Sequence, residues 1–226
     1  MSVTTSPATG ARVGTARQTH ETKAARVRAA AEVVFARKGF DGATMREVAD
    51  AAGVGVSLVV YHFATKEGLY RAVFESRQYV NEDRLARLAG VSDAAAPDAL
   101  EKLVSAFIDP VLDLHENEQD VSFARLVLRE AADPSSQGRT IISELFDPMA
   151  RAFIAKLDEI LPGRPAHVHS WAYLFAVGAL TQSAFDTRIE NIGTCRSTAA
   201  EKRDCLRRFI TAALRFGCRD EDSPGS

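Results

Sequence analysis

Apolar residues recur at helical spacing along most of the chain, and no segment shows the alternation of a convincing strand. Between residues 22 and 38, apolar residues recur at helical spacing, namely Val27, Ala30, Ala31, Val34 and Phe35. This spacing predicts a helix that buries one face. Glu32 lies off that stripe, and we expect its side chain to be solvated.

A second pattern, between residues 44 and 67, predicts two short helices separated by a glycine turn. Thr44 and Glu47 have the spacing of a capping box, so a helix is expected to begin directly after Thr44. Gly53 is expected to end it, because glycine readily adopts the left-handed conformation found at helix C-termini. The next short helix is expected over about residues 55–63.

The same spacing predicts further helices in the rest of the chain. They are expected at about 66–88, 97–115, 118–132, 138–161, 166–192 and 197–216. The segments between them contain the proline, glycine and aspartate residues that favour turns. The sequence therefore predicts an all-α protein of about nine helices, without internal repeats.

Two short helices across a glycine turn are typical of a helix-turn-helix, which places its second helix in the major groove of DNA. The chain from about Thr22 to Phe74 resembles the DNA-binding domain of TetR-family transcriptional repressors, and YHFATKEGLY at residues 61–70 is highly specific. The matching positions are Val27 through Phe35, Gly39-Phe40, Thr44, Val48-Ala49, Ala52-Gly53-Val54, Tyr61-His62-Phe63 and Lys66-Glu67. The alternative is a helical hairpin within another helical protein.

The resemblance implies an N-terminal helix-turn-helix DNA-binding domain at residues 21–66. It also implies a helical ligand-binding and dimerisation domain at residues 67–218. We expect residues 1–20 to form a disordered arm and residues 219–226 a flexible tail.

Charge is unevenly distributed along the chain of 226 residues, although the formal net charge is only −2. Residues 1–80 contain 11 Lys/Arg and 7 Asp/Glu, a net charge of +4. The remainder contains 17 Lys/Arg and 23 Asp/Glu, a net charge of −6. A basic N-terminal part suits phosphate binding. The chain shows no transmembrane run and no secretory signal, and its three cysteines lack metal-site spacing, so we expect a cytoplasmic protein with reduced thiols.

The resemblance assigns DNA contacts to residues on and beside the two short helices. Arg46 matches a position that reads a base, and a solvated arginine on a basic face is the alternative. Phosphate contacts are expected from Thr44, Tyr61, His62 and Lys66, and packing against the first helix is the alternative for Tyr61 and His62. The exposed positions of the recognition helix are expected to be Val56, Ser57, Leu58 and Val60, an unusually apolar set that suits thymine methyl groups.

The resemblance also implies a homodimer and a small-molecule effector. The last two helices are expected to pair across the dimer through Gly178, Ala179, Phe209, Ile210 and Ala213, and an internal core formed by these residues is the alternative. The ligand site is expected among Phe107, Phe123, Phe146, Phe153, Trp171, Tyr173 and Phe175, and an ordinary core is the alternative for each of them.

Polar residues extend the expected ligand site. Arg125 and Arg129 lie one turn apart, so an arginine facing the cavity would favour an anionic, elongated and mostly apolar ligand. A surface pair neutralised by Glu130 is the alternative. Gln182 is expected to orient the ligand through a hydrogen bond.

The sequence does not favour an enzyme. It shows no nucleophile elbow, no phosphate loop and no paired-carboxylate pattern, and we expect neither a catalytic residue, a metal nor a cofactor. The expected partner is an operator in double-stranded DNA, with no membrane partner, and repression relieved by the ligand is the expected mode. Activation, or a helical adaptor that does not bind DNA, are the alternatives.

Overall fold

The computed structural model describes residues 11–114, 118–185, 192 and 197–217. Within these ranges the chain is all-α, as predicted, with the following elements. They are α1 (Ala11–Gly42), α2 (Met45–Ala52), α3 (Val56–Phe63), α4 (Lys66–Glu75), α5 (Tyr79–Ala89), α6 (Ala99–Asp113), α7 (Glu118–Ala132), a 3₁₀ helix (Pro134–Arg139), α8 (Ile141–Leu145), α9 (Asp147–Ile160), α10 (Ala166–Phe185) and α11 (Ala199–Phe216).

The chain divides into two compact units, Met1–Val73 and Phe74–Ser226, and the division falls within α4. No helix in the described ranges has both the length and the apolar composition to cross a bilayer.

The first unit is built around α1, which packs against α2 and α3. In the predicted stripe, Val27, Ala31 and Phe35 are buried, and Ala30 and Val34 are half-buried. Phe35 packs edge-on against Tyr70 with ring centroids 4.7 Å apart. Glu32 was predicted wrongly to be solvated, since its side chain is only 5% exposed. Two helices pack on α1, so more of its surface is buried than one apolar stripe.

The start of α1 also differs from the prediction. The helix begins at Ala11, well before Thr22, so residues 11–20 are helical where a disordered arm was expected. The segment ARVGTARQTH lacks proline and contains good helix formers such as alanine, arginine and glutamine. The rest of the expected arm, residues 1–10, and the expected tail, residues 219–226, lie outside the described residues. Gly39 interrupts the helix where its end was predicted, with φ 77° and ψ 177°.

The core of the second unit lies between α5, α6, α9, α10 and α11. Its largest fully buried side chains include Leu103, Phe107, Phe153 and Leu157. Phe107 and Phe153 are in contact, with ring centroids 4.8 Å apart. Helix α7 has the predicted bounds.

Two predicted long helices are broken in the structure. The segment 66–88 forms α4 and α5, separated by a tight turn in which the Arg77 N–H donates to the Phe74 carbonyl at 3.1 Å. The segment 138–161 forms the end of the 3₁₀ helix, α8 and α9, with a break at Phe146, two residues before Pro148. Apolar spacing continues across both breaks, so spacing alone did not reveal them.

The two last helices also deviate at their ends. Helix α10 ends at Phe185 in the described residues, and the predicted continuation over 186–191 lies outside them. Helix α11 is capped by Thr198, because Thr198 and Glu201 have the capping-box spacing and form both of its hydrogen bonds.

Candidate functional site

Helix α2 is fixed at both ends by local sequence. The Thr44 hydroxyl accepts from the Glu47 N–H at 3.2 Å, and the Glu47 carboxylate accepts from the Thr44 N–H at 3.0 Å. Glu47 also pairs with Lys38, and hydrogen bonds from Lys38 and then Thr44 lower the pKa of its carboxyl. At the other end, Gly53 takes the predicted left-handed conformation, with φ 62° and ψ 42°. The capping box and the glycine stop are therefore confirmed.

Arg26 fixes the turn between the two short helices. Its Nη2 donates to the Ala52 carbonyl at 2.7 Å and to the Gly53 carbonyl at 3.3 Å. These carbonyls end α2 and have no partner within the helix. The sequence analysis missed this role, because the bond joins residues far apart in the chain.

Helix α3 packs into the core of the first unit through Val59, which is fully buried, and its other side faces solvent. Val60 is 47% exposed and Tyr61 is 74% exposed, and Val56 and Ser57 are also exposed. The outward surface of α3 is therefore apolar apart from Ser57 and the Tyr61 hydroxyl.

The other residues assigned to DNA contacts differ in exposure. Thr44 and Arg46 are exposed at the start of α2, and Leu58, His62 and Lys66 are half-buried. The His62 ring packs against Tyr61, with centroids 5.1 Å apart.

Lys66 has partners within the protein. Its ammonium lies 3.4 Å from the Ala43 carbonyl and 4.4 Å from the centroid of the Phe40 ring, a cation–π distance. Lys66 therefore ties the start of α4 to the segment between α1 and α2. A phosphate contact remains a prediction and would use the rest of the ammonium.

The turn from α3 to α4 contains two unusual positions. Ala64 has φ 59° and ψ −59°, and the Thr65 N–H donates to the Phe63 carbonyl at 2.6 Å, which together form a strained γ-turn. Thr65 then caps α4, and its hydroxyl accepts from the Gly68 N–H at 3.0 Å. A Cβ on Gly68 would lie 2.4 Å from the Phe63 carbonyl oxygen, so this position has no room for a side chain.

The second unit encloses a cavity of about 620 Å³. Four of the residues predicted for a ligand site line it, namely Phe107, Phe123, Phe146 and Tyr173. Phe153 lies behind the wall, in contact with Phe107 and Tyr173. Ligand contact by these side chains remains a prediction.

The other predicted ligand residues do not line this cavity. Arg125 and Arg129 are exposed on α7, and Trp171, Phe175 and Gln182 are exposed on α10. Apolar α10 shows no single hydrophobic face in sequence, so its spacing could not indicate which aromatic side chains point inward. Glu130 is buried, and its carboxylate binds Arg139.

Arg84 is the polar group that the sequence analysis missed in the cavity wall. Its side chain is buried, its Nη1 donates to Asn81 at 3.2 Å, and its guanidinium lies 4.4 Å from the Phe107 ring centroid. A signal was present in the sequence, because residue 84 is four positions from both Val80 and Leu88 on the buried face of the helix. An arginine at such a position indicates a buried charge.

An exposed apolar face extends over α10 and α11. Trp171 and Phe175 stack with ring centroids 5.9 Å apart, and Phe209 is 62% exposed. Gly178 is exposed, and a Cβ built there would meet nothing within 4 Å. This face would accommodate another helix.

The residues predicted for the dimer interface divide between this face and the core. Gly178, Phe209 and Ala213 are exposed, and Ala179 is half-buried against the core. Ile210 is buried inside the unit, so its assignment to the interface is corrected. It lies on the side of α11 that faces the core.

Comparisons with known proteins match both units. Residues 27–73 match the family model described as bacterial regulatory proteins, tetR family, and residues 105–214 match the one described as tetracyclin repressor-like, C-terminal domain. The HTH-type transcriptional regulatory protein RaaS of Mycobacterium tuberculosis is 52% identical over 48 residues, which are 21% of this chain and 22% of that protein. The match thus spans about a fifth of the length of this curated relative.

Solved structures share the fold over most of their length. A tetR-family bacterial regulatory protein from Rhodococcus RHA1 is 25% identical, covers 88% of this chain and 98% of its own, and has a TM-score of 0.58. The TetR-family transcriptional regulator PfmR from Thermus thermophilus is 17% identical, with coverage of 84% and 97% and a TM-score of 0.54.

Proposed function

The chain belongs to the TetR family of bacterial regulatory proteins, and we propose that it regulates transcription by binding operator DNA through α2 and α3. The observation that carries this proposal is the outward surface of α3, beside Arg46 on α2. An α-helix with exposed side chains fits the major groove of DNA when a neighbouring helix, fixed at both of its ends, holds it in position. Operator DNA lies in the bacterial cytoplasm, and the protein acts there.

Contacts to phosphate and to bases have separate sources in this arrangement. The Thr44 and Tyr61 hydroxyls, the His62 ring and the Lys66 ammonium bind phosphates and position the protein. Arg46 reads a guanine through its two parallel donors, and Val56 and Val60 pack on thymine methyl groups. The surplus of positive charge in residues 1–80 supports this interface.

The second half of the DNA-binding surface comes from a second copy of the chain in a homodimer. The exposed face of Trp171, Phe175, Gly178 and Phe209 is covered by the same face of a second copy. Burial of such large apolar side chains stabilises association. Two copies related by a twofold axis read two half-sites about 34–36 Å apart, which is one turn of the double helix.

Repression is controlled by a small molecule in the cavity of the second unit. The volume of about 620 Å³ and the mostly apolar wall are typical of small-molecule sites. The ligand releases the operator only if it binds more tightly to the state that does not fit DNA. The cavity is the observation that favours an effector.

Footprinting on the DNA that flanks the gene tests this function. We expect protection of a palindrome with half-sites one helical turn apart, and affinity that falls steeply with salt. Binding that does not depend on salt or sequence would favour the helical adaptor. A reporter gene behind the protected site distinguishes repression from activation, since only a repressor lowers its transcription.

A further inference from the structure

Arg84 carries a buried positive charge without a carboxylate partner among the described residues. Its side chain is 7% exposed, and its contacts are the hydrogen bond to Asn81 and the face of the Phe107 ring. Its Nε has no hydrogen-bond partner among the residues that the structure describes. Burial lowers the pKa of the guanidinium to about 10, so it stays charged at neutral pH. The unpaired Nε is the donor that an incoming group would have to satisfy.

The other charged groups in the cavity wall have partners of opposite sign. Arg77 binds Asp120 at 2.6 Å, and Asp147 lies 3.9 Å from Arg151. Arg84 is therefore the charge in the described wall that lacks compensation. Burial raises the pKa of the neighbouring Tyr173 phenol, while the charge of Arg84 opposes that rise. The phenol thus remains a neutral O–H donor.

Most of the remaining wall is apolar. It includes Val80, Phe107, Val111, Phe123, Ile142 and Phe146. A buried arginine beside an apolar chamber fits a molecule with an anionic end and an apolar body. A guanidinium binds a carboxylate through parallel, charge-assisted hydrogen bonds, which are stronger than neutral ones.

We propose that the cavity binds an amphiphilic monocarboxylate, whose carboxylate pairs with Arg84 and whose apolar body fills the aromatic chamber. The inference rests on the proposed function in taking the occupant of this cavity as the effector. The carboxylate supplies the negative charge that the wall lacks, and the Tyr173 hydroxyl is the second donor at the same end. An amine would meet the guanidinium with like charge, and an alcohol would leave the charge uncompensated.

The test measures binding to the full-length protein by calorimetry, without DNA. The probes are decanoate, decanol and decylamine, which share one chain and differ in the charge of the head. Hexanoate, tetradecanoate and naphthoate, each with the alcohol of the same apolar body, extend the comparison to other sizes. Arg84→Met removes the charge and keeps an unbranched apolar side chain, and Arg84→Lys keeps a charge without the parallel donors. Arg87→Met on the same helix removes an exposed arginine that pairs with Asp83, and serves as the control.

We expect at least one carboxylate to bind the wild type about tenfold to a hundredfold more tightly than the alcohol of the same apolar body, since a charged hydrogen bond contributes that much. Arg84→Met should abolish this preference, Arg84→Lys should reduce it, and Arg87→Met should leave it unchanged. Equal binding of acid and alcohol, tighter binding of the amine, or binding of none of the carboxylates would overturn the proposal.

Thermal unfolding without ligand gives a second readout. Without a bound anion, the buried charge of Arg84 is uncompensated and destabilises the protein. Arg84→Met should therefore melt at the same or a higher temperature. A lower melting temperature together with an unchanged preference for carboxylates would assign Arg84 to the core alone. Because no DNA is present, these results do not depend on operator binding. Failure of the proposed function would appear instead in the footprint.

Discussion

The guanidinium of Arg139 binds both carboxylate oxygens of Glu130, whose side chain is fully buried. Nε donates to Oε1 at 3.1 Å and Nη2 donates to Oε2 at 2.7 Å, and Nη2 also reaches Asp133 at 2.5 Å. The pair joins the end of the 3₁₀ helix to α7. Ser136 and Thr140, which flank Arg139, line the cavity, so the pair also holds part of the cavity wall.

Arg139→Met should lower the free energy of unfolding by about 3–5 kcal/mol, because it leaves the Glu130 carboxylate buried without its partner. Urea unfolding followed by circular dichroism measures this loss. Lys102→Met is the control, because it removes an exposed pair with Asp98 and should change stability by less than about 0.5 kcal/mol. Equal effects of the two substitutions would show that the Glu130 pair contributes no more than a surface pair.

Asp133 should make stability depend on pH in the acid range. Hydrogen bonds from Arg139, and then from the N–H and hydroxyl of Ser135, lower the pKa of its carboxyl from 3.8 to about 2. The folded-state pKa lies below the unfolded value, so the contribution is complete above 3.8 and is lost as pH falls towards about 2. The difference in unfolding free energy between wild type and Asp133→Asn should shrink through that window. A difference independent of pH would contradict the assignment.

Arg46→Ala should cost about 1–3 kcal/mol of operator affinity and relax the preference for one base pair. Arg46→Lys is the matched variant, because it keeps the charge but loses the two parallel donors. It should relax the preference while leaving the salt dependence of binding unchanged. Affinities for operators substituted at each position measure both effects, and an unaltered base preference in both variants would show that Arg46 reads no base.

Phe209→Glu should convert the dimer into helical monomers that bind DNA weakly, because it places a charge in the centre of an apolar face. The side chain is exposed within one protomer, so its replacement should not unfold the chain. Ala155→Glu, at an exposed position on α9, is the control for an added charge. Light scattering gives the mass, and a Phe209→Glu protein that remains dimeric would refute the assignment of this face.

Ala64→Gly should raise the free energy of unfolding by about 1 kcal/mol, because glycine adopts positive φ without the strain that a Cβ causes. Ala29→Gly, at an exposed position inside α1, should instead lower it by about 0.5–1 kcal/mol. Chemical unfolding of both variants provides the comparison. A loss of stability in both would show that the turn at Ala64 carries no strain.

The first unit could be predicted closely, because local residues determine its features. Thr44 and Glu47 form the predicted capping box, Gly53 stops α2, and Thr65 caps α4. Each of these depends on residues within four positions of one another. The bond from Arg26 to the end of α2 joins distant positions, and the helical pattern contained no sign of it.

The cavity could be predicted only in part. Aromatic residues are apolar whatever the packing of the helices. Phe107 and Tyr173 could therefore be assigned to the interior of the second unit from the sequence. The positions of the charges could not be predicted, because helical spacing does not show which face of α7 is buried. Arg125 and Arg129 are exposed, whereas Glu130 beside them is buried and paired with Arg139. The turn at Arg77 was not predicted either, so Arg84 was assigned to one long helix over residues 66–88.

Gly68 limits how this protein can diversify. Any larger residue at this position would push against the Phe63 carbonyl oxygen and displace the end of α3 from the start of α4. The outward side chains of α3 meet no such barrier, since Val56, Ser57 and Val60 point to solvent. New operator preferences can therefore arise by substitution at those positions, while codon 68 tolerates only synonymous change.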